Sequence, residues 1–105
     1  MSGIRVEKWQ KDVAPPTEQE AEARLNQEGY SSFTWYDVPG AFYPSHSHNA
    51  DECIWIVKGD ITFNVQGQNY PMTAGDRIYL PAKIQHTATV PESASVTYLV
   101  GQKKK

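Results

Sequence analysis

The chain has 105 residues, 39% of them hydrophobic, and a formal net charge of −2. One domain with one modest core is expected, because a chain this short buries only about two thirds of its unfolded surface. The slight negative charge argues against a nucleic-acid partner held by phosphate neutralisation, and no stretch approaches the ~18 apolar residues of a membrane helix.

Met1 to Val13 hold no apolar run, so no secretory leader is expected. Cys53 is the single cysteine, which rules out an intrachain disulfide and suits a reducing cytoplasm, the location expected here. Further along, Thr17 followed three residues later by Glu20 is a capping box, and Gly29 can take the left-handed conformation that ends a helix. Together they predict a short helix over 18–28. Its apolar content is thin, mainly Ala21 and Leu25 one turn apart, so it must pack against something larger. Residues 1–30 are read as an N-terminal extension and 31–105 as the main domain.

From residue 31 the texture changes to short β segments broken by glycine and proline. Predicted strands are 32–38, 42–46, 52–58, 61–65, 69–72, 77–80, 84–90 and 95–100. Ile61-Thr-Phe63-Asn-Val65 and Ile84-Gln-His86-Thr-Ala88-Thr-Val90 alternate apolar and polar, as strands with one buried face do. Turn signals fall at Pro39-Gly40, Lys58-Gly59-Asp60, Gln66-Gly67-Gln68 and Ala74-Gly75-Asp76. The fold class is all-β: a small antiparallel β-barrel or double-stranded jelly roll with one short N-terminal helix. Lys103-Lys104-Lys105 reads as a solvated end.

All three histidines fall where one metal site needs them. In a strand, residues two apart share a face, so His46 and His48 project together. Glu52 has the same parity and reaches the same ion if Asn49-Ala50-Asp51 turns tightly. His86 shares the inward face of Ile84, Ala88 and Val90. A polar ring on that face needs a partner, since an unpaired one costs roughly 1–3 kcal/mol. Imidazole and carboxylate are ligands for divalent first-row metals.

The segment Gly40 to Gly59 resembles the first motif of the cupin superfamily: glycine, five residues, His-X-His, three residues, glutamate, six residues, glycine. Gly40, His46, His48, Glu52 and Gly59 match it at every fixed position. The segment from Gly75 is similar to the second motif through Gly75, Pro81 and His86, while Lys83 stands for the family's glycine and Val90 for its asparagine. With the short spacer 60–74 the motifs cover about half the chain. The resemblance implies a small single-domain cupin whose ligands are His46, His48, Glu52 and His86, holding one divalent transition metal such as iron, manganese, nickel or zinc. Lys83 is a departure that bears on the local turn, because a lysine at positive φ carries a cost glycine would avoid.

Four protein ligands leave two positions open on a six-coordinate ion, where a substrate, or a substrate and dioxygen, can bind. The expected function is therefore a metal-dependent, oxygenase-type enzyme. The alternatives are a metal-dependent isomerase or lyase and a non-catalytic small-ligand-binding module. The expected pocket wall is Ile54, Ile56, Ile84, Ala88, Tyr98 and one face of 61–65, residues that equally suit a plain core. Tyr43 and Tyr79 flank the site in sequence and could supply a hydroxyl. A mostly apolar wall favours a small, partly apolar organic substrate. Cys53, Trp55 and Val57 make the opposite face of 52–58 apolar, so it too is covered. The N-terminal segment, a second sheet or a second subunit could cover it. Small cupins commonly dimerise, which makes this face the candidate interface of a homodimer.

Overall fold

The structure is a computed structural model and describes residues 3–104, so Lys105 of the basic end lies outside the described residues. The elements are β1 (Arg5–Glu7), α1 (Glu18–Gln27), β2 (Tyr30–Asp37), β3 (Phe42–His46), β4 (Glu52–Lys58), β5 (Asp60–Val65), β6 (Gln68–Thr73), β7 (Arg77–Leu80), β8 (His86–Thr89) and β9 (Val96–Lys103). They build two antiparallel sheets, one in the order β1-β7-β4-β9-β2 and one in the order β3-β8-β5-β6. Among the described residues no strand pairing joins the sheets, so the architecture is the two-sheet jelly roll and not a closed barrel. The turn after Asp37 carries the chain across the gap: β2 pairs with β9 in one sheet and β3 with β8 in the other.

Helix α1 starts as expected. Thr17 Oγ1 accepts from the Glu20 amide at 3.1 Å, and Glu20 Oε1 accepts from the Thr17 amide at 2.9 Å. Its two apolar residues, Ala21 and Leu25, are fully buried against Cys53, Trp55, Tyr30 and Leu99 on the outer face of the five-stranded sheet. Burying the leucine alone contributes about 2 kcal/mol. The apolar face of β4 assigned to a dimer contact is thus closed within the chain, by α1 and Trp9. Trp55 also donates to the Gly75 carbonyl at 2.9 Å, which anchors its indole inside this layer.

β1 lies outside the predicted strands. Arg5-Val6-Glu7 is too short for a readable alternation, and it becomes a strand only because β7 presents a free edge to it. Asp76 holds the next residues down. Its buried carboxylate accepts from the Lys8 ammonium at 2.7 Å and from the Trp9 amide at 2.8 Å. Between the sheets lies the main core, built around Ile54, Ile56, Ile61, Phe63, Val65, Ile78, Leu80, Val90 and Val96. The alternation read in 61–65 is seen directly: Ile61, Phe63 and Val65 are buried, Thr62 and Asn64 less so.

Candidate metal centre

The site forms where one end of each sheet meets the other. His46 closes β3 and His86 opens β8, and the two are direct cross-strand partners in the smaller sheet. Glu52 opens β4 in the larger sheet, paired with Gln102 of β9. His48 is not on a strand. β3 ends at His46, and His48 lies in the loop to β4, held where the Lys83 amide donates to its carbonyl at 2.7 Å. Asp51 ties the same loop to the turn after β7 by accepting from the Ala82 amide at 2.7 Å. Parity along a continuous strand therefore accounts for His46 but not for His48, which is brought in by loop anchoring.

Ligand atoms of His46, His48 and His86 all lie within 4.8 Å of one another. Glu52 is not in that set. Its Oε2 lies 3.5 Å from His48 Nδ1 and accepts from Gln102 Nε2 at 3.2 Å. His46 Nδ1 lies 2.7 Å from the Pro44 carbonyl, and His86 Nδ1 lies 3.2 Å from the Ile84 carbonyl. A carbonyl only accepts, so each Nδ1 carries a proton, and in the neutral ring the lone pair is then on Nε2. This is the orientation a metal-binding imidazole takes. Burial pushes the His86 imidazole below its ordinary pKa; the Ile84 carbonyl opposes this, and His46 and His48 reinforce it. The neutral ring is the form that binds metal. On all three counts the residues fit a divalent ion.

A pocket of about 200 Å³ opens beside the histidines. Ile54, Phe63, Ala88 and Tyr98 line it as the sequence predicts, but Ile56 and Ile84 do not. Ile56 is buried in the core further along β4, and Ile84 lies before β8 begins. Tyr43 lines the pocket. Tyr79 does not: it lies on the far side of the sheet, with the Arg5 guanidinium 4.0 Å above its ring.

Sequence reading alone missed the part of the wall supplied by β2. Phe33 and Trp35 stand half-exposed at the mouth, and behind them Asp37 is buried. The Asp37 carboxylate accepts from the Tyr98 hydroxyl at 2.6 Å, from the Tyr43 hydroxyl and from Trp35 Nε1 at 3.0 Å. Asp37 and Tyr43 lie six residues apart and Tyr98 far from both, and the parity of 33, 35 and 37 is the signal that could have hinted that this stretch of β2 faces inward. Along β9 the inward positions are Tyr98, Val100 and Gln102. The pocket thus has a polar end at the histidines, an apolar waist and a second end lined by Tyr43 and Tyr98, whose hydroxyls are held from behind by the buried Asp37.

The family model for the cupin domain matches residues 33–101. No curated protein sequence matches the chain. Among solved structures, the DMSP lyase DddQ from Ruegeria pomeroyi DSS-3 is 26% identical with a TM-score of 0.65, over 73% of this chain. The chain spans only 39% of that lyase's length. Acireductone dioxygenase from Bacillus anthracis, solved with a cadmium ion in its active centre, is 19% identical at a TM-score of 0.71, covering 99% of this chain and 80% of that one. A cupin 2 domain-containing protein from Halorhodospira halophila is 14% identical at a TM-score of 0.71, covering 100% and 86%. With both motifs meeting at one end of a two-sheet jelly roll and the family model spanning most of the strands, the chain belongs to the cupin family.

Proposed function

We propose that this cupin is a metal-dependent enzyme of the oxygenase type, acting on a small, partly apolar organic molecule. The observation that carries it is the convergence of three imidazoles with two Nδ1 atoms spent on backbone carbonyls. His46, His48, Glu52 and His86 would hold one divalent ion, iron, manganese, nickel or zinc. Bound there, the ion would supply Lewis acidity, a template for substrate or a redox centre at its open positions. The chain's own residues do the rest. Pro44 and Ile84 carbonyls orient two ligand rings, Gln102 orients the Glu52 carboxylate, and the apolar waist of Ile54, Val100 and Phe63 excludes water from the substrate.

Metal content after native purification, followed by dioxygen uptake with small aromatic and diketone compounds, tests the reading. Iron with uptake supports it. A lyase is the second reading, favoured by the 26% identity to a DMSP lyase. Manganese, nickel or zinc without uptake moves the assignment there. A cytoplasmic location and a homodimer belong to the proposal as well. Since α1 closes the Trp55 face, a dimer would have to use another surface, and light scattering at tens of micromolar, a rough working concentration, decides whether it forms.

A further inference from the structure

The donor and acceptor inventory of the second polar end has a definite sign. A tyrosine hydroxyl has one proton to give, and an indole has one N–H. Tyr98 spends its proton on Asp37 Oδ2, and Tyr43 spends its own on Asp37 Oδ1. Trp35 Nε1 points at both Asp37 Oδ1 and the Tyr43 oxygen, 3.0 Å from each. All three donors are therefore turned onto one buried carboxylate, and what remains on this wall is lone pairs. Among the described residues no lysine, arginine, serine or threonine contributes to the pocket lining. Burial, with the Asp37 bond adding to it, pushes the Tyr98 hydroxyl well above its ordinary pKa, so it stays protonated and committed.

Resting on the metal-site reading above, we infer that the pocket selects a ligand with two unlike ends: an oxygen-bearing head toward the histidines, and a hydrogen-bond-donating tail, ammonium or hydroxyl, at the Tyr43 and Tyr98 oxygens that Asp37 holds from behind. Gln102, at the histidine end, and Tyr98 lie four residues apart on β9. Between them lie Val100 and Ile54, which accept only an apolar spacer. A carboxylate tail finds no free donor at the wall. A methyl tail leaves the lone pairs unpaired once water is displaced.

The test is calorimetric binding of three length-matched acids to the zinc-loaded and the metal-free protein: γ-aminobutyrate, valerate and glutarate. γ-Hydroxybutyrate, run alongside, tells a neutral donor tail from a charged one. The expected result is tighter binding of a donor-tailed acid than of both others, by about tenfold or more. In Asp37→Asn the amide donates to one tyrosine oxygen and releases that hydroxyl's proton into the pocket, so the preference should shift toward glutarate by about the same factor. Melting curves establish that the variant is folded. Equal or tighter binding of glutarate or valerate by the wild-type protein, or no binding of any probe, overturns the inference. Failure to load zinc sinks the metal reading alone, because the tail preference is a ratio read in the metal-free protein too.

Discussion

His48 separates chemistry from folding more cleanly than the other candidate ligands. Its side chain is 36% exposed and sits in a loop, whereas His86 is buried between strand partners. His48→Ala should therefore lower metal content per chain sharply, while the metal-free variant keeps its stability within about 0.5 kcal/mol, as surface substitutions do. Unchanged metal stoichiometry would remove His48 from the ligand set. Gly59 makes the opposite case, a motif residue with a purely structural duty. Its φ is +89°, and a Cβ there would lie 2.4 Å from the Ser95 carbonyl oxygen. Gly59→Ala should cost about 1–3 kcal/mol from the backbone conformation alone, with the clash adding to it. A denaturant midpoint equal to the wild type's would contradict this. Lys83, standing where the family has glycine, keeps the positive φ of that turn, at +71°.

At the level of elements, a buried guanidinium adds to the Ala21 and Leu25 contacts that dock α1 on the sheet. Arg77 Nη2 donates to Glu28 Oε1 at 2.6 Å, and its carbon lies 4.2 Å from the centre of the Trp55 ring. Arg77→Met keeps the packing volume but strands Glu28 and removes the cation from the indole, a loss of about 2 kcal/mol. Urea denaturation checks it, and an unchanged midpoint would leave the docking to Ala21 and Leu25. Two carboxyls couple this layer to pH. The Arg77 hydrogen bonds hold Glu28 below the usual carboxylate range, against its partial burial. Burial by itself would raise Asp76, yet the Lys8 ammonium and the Thr73 and Trp9 amides hold it lower. The unfolded chain thus binds more protons than the folded one below its carboxylate pKa of about 4. Their contribution is fully present above that value and is lost as pH falls through the lower folded values. Asp76→Asn should flatten this acid limb and speed amide exchange in Arg5–Trp9. An acid limb as steep as the wild type's would show that other carboxyls set it.

Across the whole molecule, the proposed ion would clamp β3, β4 and β8, and so the two sheets, at one end. Occupancy at about a hundred times the dissociation constant stabilises by ~2.7 kcal/mol, or very roughly 10–20 °C in melting temperature for a chain this size. The chelated protein should stay folded, because the core of Ile56, Ile61, Ile78 and Val65 is complete without the site. A chelator that leaves melting unchanged means an empty or weak site. One that unfolds the chain makes the metal structural, and the catalytic reading loses its support.

The local features were legible because they act over short spans: the capping box at Thr17 and Glu20, the alternation in 61–65 and the motif spacing around His46 and His86. Period and spacing are properties of adjacent residues, and they predicted α1, most strand positions and the three converging histidines. Pairings between distant segments were not legible in this way. That β1 finds the edge of β7, that α1 and not a second subunit covers Trp55, and that the sheets stay unclosed all depend on which edges and faces are left free after the other strands pair. The Asp37 wall is of the same kind. Asp37, Tyr43 and Tyr98 lie on three strands in two sheets, and a carboxylate in a turn-flanking position looks solvated until the fold buries it under two tyrosines. The amino-acid sequence by itself determined the ligand types and their spacing. The tertiary structure decided the hydrogen-bonding sign of the opposite wall, because a donor's direction is set by the partner the fold brings to it.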